Sequence, residues 1–284
     1  MTDDLFHAGE RAAQARAGVR VPGSGGIRGE VIEQHRRFLE ALPFVVVGVD
    51  AGRGPAATVV AGPPGFLGVP DPRRLRVGAP PDRDDPAQAE LGPGAGVALL
   101  GIDLATRRRN RVNGAVTAVD PAGFDVAVAQ AFGNCPKYIH PREVEPAPRT
   151  AGPARALDRL GVEERARISS SDTFFVATSA GDAAVDVSHR AGPAGFVRIE
   201  GDVLTVPDYP GNRYFNTLGN LLVRPRAALL FLDFDGGGLL EVSGRAEVVW
   251  SGREVEAHAG AERVWRVHVD GGWRRDAAVP LRFR

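Results

Sequence analysis

A repeat at constant spacing constrains this 284-residue chain more than any other feature of its sequence. Four segments return at one offset (191 − 61 = 130): 61–67 at 191–197, 99–104 at 229–234, 112–114 at 242–244, and 44–46 at 174–176. The first match aligns AGPPGFL with AGPAGFV, and the second aligns LLGIDL with LLFLDF. Because four matches share one offset without a shift, we predict two homologous halves.

The repeat divides the chain into four regions. We predict an N-terminal extension over 1–27, a first repeat over 28–146, a linker over 147–157 and a second repeat over 158–284. The extension is rich in Gly and Ala and is expected to pack on the surface. The linker region contains several Pro and Gly residues, which are typical of connections between domains.

Each repeat is predicted to be mainly β, with short helices. Helical spacing of apolar residues runs from Gly29 to Leu42 and from Tyr214 to Val223. The segments 227–234 and 239–250 enclose a Gly-rich turn at 235–238, which predicts a β-hairpin. About six strands and one or two helices per repeat favour a small antiparallel barrel.

Charge and cysteine content exclude several classes of protein. Lys and Arg together number 35, as do Asp and Glu, so a nucleic-acid-binding surface is not expected. Cys135 is the only cysteine, which excludes an intrachain disulfide, a Cys-based zinc site and a Cys-ligated iron–sulfur cluster. The apolar stretches are too short to span a membrane. We expect a cytoplasmic protein without a metal site or a membrane partner.

Several motifs resemble one known family. DVSHRAGPAGFV at 186–197 and GNRYFNTLGNLL at 211–222 resemble the pyridoxamine 5'-phosphate oxidase-like, FMN-binding split-barrel family, in its predicted flavin-nucleotide-binding branch. RRRNRVNG at 107–114 and FGNCPKYI at 132–139 extend the resemblance to the first half. The resemblance implies tandem split barrels that bind FMN in the groove between them.

The resemblance places the FMN phosphate on the second half. The residues it implies there are Ser188, His189, Arg190, Asn212, Arg213 and Asn216. Arg190 and Arg213 supply forked cationic donors of the kind that bind phosphate. The first half has Val59 and Val60 at the positions matched to His189 and Arg190. His189 is expected to pack, or to hydrogen-bond the ribityl chain, rather than to act as a general base.

The resemblance also implies three residues of the first half that close the site: Arg111, Asn134 and Lys137. Arg109 and Arg111 would share one face of a strand. Lys137 is the only lysine, and a cation near the flavin ring would stabilise its anionic reduced form. The offset of 130 matches Cys135 with Trp265, which would put this closing segment against the flavin of the other barrel.

These residues predict an FMN-dependent oxidoreductase that transfers hydride or electrons to a small acceptor. The electron donor would be a reduced nicotinamide, or a reductase that acts in trans. Two alternatives stay open: a non-catalytic flavin-binding or flavin-sensing module, and a split barrel that holds haem or a deazaflavin. No catalytic residue is assigned, and chains that pair as a homodimer are compatible with the resemblance.

Overall fold

The computed structural model describes residues 5–181 and 184–284. Residues 1–4, which belong to the predicted extension, and residues 182–183 lie outside the described residues. The described chain is mainly β, with two antiparallel sheets, one two-stranded ribbon and short helices. The prediction of a mainly β fold is confirmed.

The first sheet has seven strands in the spatial order β2-β1-β5-β6-β7-β4-β3. Its strands are β1 (Phe44–Asp50), β2 (Ala56–Ala61), β3 (Leu67–Asp71), β4 (Arg74–Val77), β5 (Gly96–Asp103), β6 (Arg108–Asp120) and β7 (Gly123–Asn134). A short ribbon pairs β8 (Val144–Pro146) with β17 (Leu281–Phe283), which joins the end of the first repeat to the end of the chain.

The second sheet has eight strands. They are β9 (Arg155–Leu157), β10 (Thr173–Ser179), β11 (Val185–Ala191), β12 (Arg198–Glu200), β13 (Val203–Asp208), β14 (Arg226–Leu232), β15 (Leu239–Val249) and β16 (Arg263–Arg275). Seven of them follow the order β11-β10-β14-β15-β16-β13-β12, the same order as in the first sheet. The eighth, β9, lies in the predicted linker and pairs with β16. The homology of the halves stays a prediction from the sequence.

The offset of 130 holds for β6 and β15 but not for the strands that follow them. Arg111 pairs with Leu100, and Glu241 pairs with Leu230, so these two positions correspond. On the opposite side of the strand, Arg111 pairs with Phe132, and Glu241 pairs with Trp273. These two partners are separated by 273 − 132 = 141 positions rather than 130. The cause is the connection between β15 and β16, which spans 250–262, whereas β6 and β7 are joined by the turn 121–122.

The expected match of Cys135 with Trp265 is therefore wrong. Trp265 pairs with Val206 in the second sheet as Phe124 pairs with Val77 in the first, and both aromatic side chains are buried in a core. The match also shifts by one position in the first strand of each sheet. Residues 44–46 have the pairing partners that correspond to those of 173–175, whereas the sequence matched them with 174–176.

The two sheets pack against each other through their central strands. β1 and β10 are buried along their whole length, because one face contacts its own barrel and the other contacts the opposite sheet. Gly48 marks the closest approach, since a Cβ there would lie 3.1 Å from the Ala177 Cβ and 3.2 Å from that of Val187. A continuous apolar core crosses this contact and joins both halves.

Short helices cover the sheets: α1 (Ala8–Arg16), α2 (Glu33–Glu40), α3 (Val162–Ser170), α4 (Asn216–Val223) and α5 (Arg253–Glu256), with a 3-10 turn at Gln88–Glu90. The helix expected from Gly29 begins only at Glu33, because the Val31 N–H donates to the Pro72 carbonyl. No helix in 5–181 or 184–284 is long and apolar enough to cross a membrane.

The N-terminal extension does more than pack on the surface. Its helix α1 lies on α4 and buries Glu10, Ala13 and Gln14. The opposite face of the helix, with Ala12 and Arg16, is exposed. No local pattern signals the contact with α4, because the buried residues of α1 are small or polar.

Candidate functional site

A narrow cleft between the two sheets brings together all nine residues that the sequence singled out. They are Arg111, Asn134, Lys137, Ser188, His189, Arg190, Asn212, Arg213 and Asn216. The space between its walls is about 920 Å³, including the part that opens to solvent. The binding roles of these residues stay predictions.

Arg111, on β6, forms the floor of the cleft, with a side chain that is 4% exposed. Its guanidinium donates to Asp186 Oδ1 at 2.9 Å, to Asn216 Oδ1 at 3.2 Å and to Ser188 Oγ at 2.8 Å. Thr217 Oγ1 also donates to Ser188 Oγ at 3.2 Å. Ser188 and Asn216 therefore position Arg111 and are already engaged within the protein.

His189, on β11, forms one wall together with Arg109. The Arg109 Nη1 lies 3.0 Å from His189 Nδ1. A guanidinium can only donate hydrogen bonds, so Nδ1 accepts and the imidazole carries its proton on Nε2. Burial lowers the pKa of His189 well below its ordinary value, and Arg109 and Arg190 lower it further. His189 is thus a neutral hydrogen-bond donor.

Two arginines and one carboxylate form the opposite end of the cleft. Arg190 Nη1 donates to Asp208 Oδ1 at 2.7 Å, and Arg263 Nη1 donates to Asp208 Oδ2 at 2.9 Å. Arg263 also donates to Glu262, and its guanidinium lies 4.9 Å from the centre of the Phe215 ring. One buried aspartate thus holds two guanidinium groups in place.

The mouth of the cleft is bridged by contacts between the two halves. Asn212 Nδ2 donates to Asn134 Oδ1 at 3.1 Å, and the Tyr138 hydroxyl donates to the Pro210 carbonyl at 3.1 Å. Lys137 and Arg213 are exposed here, and within the described chain neither forms an ion pair. These contacts explain why the cleft is narrow.

Backbone strain is concentrated at this mouth. The described chain has five residues other than glycine at positive φ, and three of them line the cleft: Tyr138 (65°), Arg213 (63°) and Phe215 (63°). Left-handed backbone is unfavourable for residues with a Cβ and is typical of ligand clamps and switch segments. Three of the five strained residues thus lie together at the mouth of the cleft.

Four buried N–H donors of cleft residues have no hydrogen-bond partner among the residues described. They are Arg111 Nε, Asn134 Nδ2, His189 Nε2 and Arg190 Nε. A buried donor without an acceptor costs about 1–3 kcal/mol, so such atoms in a cleft indicate a ligand that supplies acceptors. FMN carries ring carbonyls, hydroxyls and phosphate oxygens, and these residues fit it.

The residues equivalent to those of the cleft lie on the other side of the molecule, at a place that we call the second groove, and their chemistry differs. Glu241 stands where the first groove has Arg111. Its Oε2 accepts from Trp273 Nε1 at 3.2 Å and from the Ala57 N–H at 3.3 Å. Burial raises the pKa of Glu241 to about 8, so this floor is uncharged at neutral pH.

The second groove also differs at its mouth. The position equivalent to Asn134 holds Arg275, which forms an ion pair with Asp82 at 2.5 Å. In the segment that follows Arg275, Val279 and the ribbon strand β17 join the apolar core. The second groove thus has an uncharged floor and a paired arginine, whereas the floor of the first groove is cationic.

Sequence reasoning missed two important residues of the open groove, Asp208 and Arg263, and also Glu10, which lies beneath it. Asp208 lies next to the recognised 211–222 motif, and its place beside Pro207 and Pro210 was the only available signal. Arg263 follows the 250–262 connection, which broke the offset of 130. Glu10 reaches the site through α1, far from any motif. In 5–181 and 184–284, no group of three metal-ligating side chains is found.

The fold and the cleft together define a class of protein: paired antiparallel barrels with a basic ligand groove between them. Residues 160–278 match the family model described as pyridoxamine 5'-phosphate oxidase. The match covers nearly the whole second repeat, so this half of the chain is similar to that family. The resemblance noted in the sequence is confirmed.

Comparisons with other proteins gave the following findings. No curated protein matches the chain in sequence. Among solved structures, HupZ of Group A Streptococcus is 17% identical over 39% of this chain and 89% of that chain, with a TM-score of 0.33. A FAD-binding protein of Mesorhizobium loti is 14% identical over 43% and 97%, with a TM-score of 0.31. HutZ, a haem storage protein of Vibrio cholerae, is 14% identical over 42% and 95%, with a TM-score of 0.30.

Proposed function

We propose that this chain is a cytoplasmic FMN-binding protein that acts as a flavin-dependent oxidoreductase on a small acceptor. The observation that carries the proposal is the wall of unpartnered donors on Asn134, His189 and Arg190 in an open, basic groove. The match of the second repeat to the oxidase family supports it. The single cysteine, Cys135, supports a cytoplasmic location.

The protonation of His189 favours flavin over haem. An imidazole that binds iron through Nε2 carries its proton on Nδ1 and donates it to an acceptor. Here Nδ1 faces a guanidinium donor, so the proton sits on Nε2 and no lone pair is available there. The flavin ring carries carbonyl oxygens and ring nitrogens that can accept a hydrogen bond from Nε2. Binding of flavin therefore needs no change in the tautomer of His189.

Bound FMN would supply the redox chemistry, and the chain would supply binding and electrostatics. Arg190 and Arg263 form the cationic end that suits a phosphate dianion. Arg109 is buried and faces no carboxylate in the described chain, and burial lowers its pKa to about 10. Such a cation stabilises negative charge that develops on a reduced ring. The narrow cleft limits access of water to the site.

The absorbance spectrum of the purified protein tests the proposal. We expect the two visible bands of oxidised flavin, and anaerobic addition of NADH or NADPH should bleach them. A single intense haem band would contradict the proposal. Flavin that a nicotinamide does not bleach, and that a reductase also fails to reduce, would instead identify a non-catalytic flavin-binding module.

Replacing Arg190 with alanine should weaken FMN binding about 10- to 100-fold, since charge-assisted hydrogen bonds contribute about 1.5–3 kcal/mol. The effect should be smaller for Arg213→Ala, because Arg213 is exposed. Fluorescence titration of the apoprotein with FMN measures both. Arg198→Ala is a matched control, because Arg198 is an exposed arginine of the same repeat outside the cleft. Equal affinity of the Arg190 variant and this control would refute the phosphate placement.

The chemistry of the second groove predicts that each chain binds one FMN. Glu241 is neutral there, Val59 and Val60 replace the donors, and Arg275 is already paired. Calorimetric titration of apoprotein of known concentration gives the stoichiometry. Saturation at two FMN per chain would contradict this prediction.

A further inference from the structure

The N-terminal helix α1 places an acidic side chain beneath the open cleft. Glu10 is 1% exposed. Its Oε1 accepts a hydrogen bond from Asn216 Nδ2, and its Oε2 accepts one from the His7 N–H at 2.9 Å. A carboxyl group is buried only at a cost unless it is hydrogen-bonded, and here both oxygens have partners. None of the roles assigned above uses this residue.

Helix α1 reaches this depth because its backbone lies directly on α4. A Cβ at Gly9 would be 2.3 Å from the Gly219 carbonyl oxygen, and a Cβ at Gly219 would be 2.6 Å from the Glu10 Cα. No side chain fits between the helices at this crossing. The His7 imidazole, with Nε2 2.8 Å from Asn220 Oδ1, fixes the beginning of the helix on the same partner.

The amide of Asn216 connects Glu10 to the floor of the cleft. Its Nδ2 donates to Glu10, while its Oδ1 accepts from Arg111 Nη1 at 3.2 Å. If the amide turned over, its NH₂ group would face the guanidinium and its oxygen would face the carboxyl oxygen. Glu10 and Arg111 therefore fix one orientation of Asn216 from opposite sides.

We propose that Glu10 is a positioning residue that holds Asn216, and through it Arg111, in place for ligand binding in the cleft. The proposal rests on the proposed function, since it deepens the role of the same groove. It makes the N-terminal helix part of the binding site, although no residue of α1 lines the cleft.

The charges around Glu10 give the proposal a pH dependence. The titratable and charged groups that face Glu10 are His7 of α1, Asp186 of β11 and Arg111 of β6. Burial and the nearby Asp186 raise the pKa of Glu10 to about 8, and burial lowers the pKa of His7. Near neutral pH, the opposite charges of Arg111 and Asp186 cancel, and Glu10 is uncharged. At higher pH, Glu10 adds a negative charge beneath the cleft, and this charge should weaken the binding of the FMN anion.

The test is the dissociation constant of FMN between about pH 7 and pH 9 for four proteins. In the wild type, affinity should fall about fivefold across this range, the size of a modest coupling between sites. Glu10→Gln should lose the fall. Near pH 7 it should bind more tightly than Glu10→Ala, because its amide oxygen can still accept from Asn216 Nδ2. Glu10→Ala should bind about tenfold more weakly at every pH, because Asn216 is released. Gln14→Ala is the matched control. Gln14 is buried on the same helix as Glu10, but its side chain donates to the Tyr214 carbonyl and not to Asn216.

Equal weakening by Glu10→Ala and Gln14→Ala would overturn the proposal, because it would show that α1 affects the fold only. So would a pH profile of Glu10→Gln that matches the wild type. The Arg111 Nε–H signal of the ¹⁵N-labelled, ligand-free chain is a separate readout. It should titrate near the pKa of Glu10 in the wild type and not in Glu10→Gln. If the wild type binds no FMN, the proposed function fails, and this signal still decides whether Glu10 acts on Arg111.

Discussion

Replacing Arg111 with leucine should lower the free energy of unfolding by about 3–5 kcal/mol, the usual loss when one partner of a buried ion pair is removed. The guanidinium is the only cation within hydrogen-bond distance of Asp186 among the described residues, and both side chains are nearly fully buried. Its loss leaves Asp186 charged without a counter-ion and leaves Ser188 and Asn216 without their donor. Urea unfolding followed by circular dichroism measures the change.

Arg226→Leu is the control for this prediction. Arg226 makes a two-pronged ion pair with Asp270 at 2.8 and 2.9 Å, but both side chains are more than a third exposed. Solvent screening limits such a pair to less than about 1 kcal/mol. Adding Asp186→Asn to Arg111→Leu should recover part of the loss, because it removes the unpaired charge. A loss for Arg111→Leu no larger than that for Arg226→Leu would refute the role of the buried network.

Glu241 should make the protein less stable as the pH rises from about 4.5 to 8. Burial raises the pKa of this carboxyl from 4.5 to about 8, so the folded state holds the proton more tightly than the unfolded state. Its stabilising effect is complete below the unfolded pKa and is lost as the pH passes the folded value. At about 1.4 kcal/mol per pH unit, one such group changes stability by on the order of 5 kcal/mol.

Glu241→Gln should flatten this pH dependence, since an amide of the same shape does not titrate. Glu247→Gln, on the same strand with a half-exposed side chain, should leave the slope unchanged. Urea midpoints at several pH values give the comparison. Glu10 contributes in the same direction, because its pKa is also raised to about 8. A Glu241→Gln slope equal to that of the wild type would show that Glu241 is not a buried neutral acid.

The sequence predicted the β architecture and the members of the cleft because both depend on local signals. The glycine-rich hairpin, the repeated AGPxGF segment and the 186–197 and 211–222 motifs are each contiguous, and each carries its own turn and strand pattern. The nine expected residues meet in one cleft because the strands that carry them pair as the repeat suggested. Agreement was closest where a residue and its motif lay in one element.

Other features depend on contacts between distant segments, which no local pattern records. Glu10 reaches Asn216 only because Gly9 and Gly219 allow the backbones of two helices to touch. Nothing in the sequence around these glycines distinguishes them from glycines in loops. The offset failed after β15 because an inserted connection of variable length shifts every later residue. The internal pairing of Ser188 with Arg111 likewise depends on how the two halves dock.

The second groove has a consequence for how this molecule can change over time. In a dimer of identical barrels, each substitution occurs twice and alters both grooves together. Two barrels in one chain are free of that symmetry constraint, so Glu241 and Trp273 can stabilise one groove while Arg111 and His189 line the other. Substitutions at one groove can therefore change its side chains without altering the other groove or the shared core.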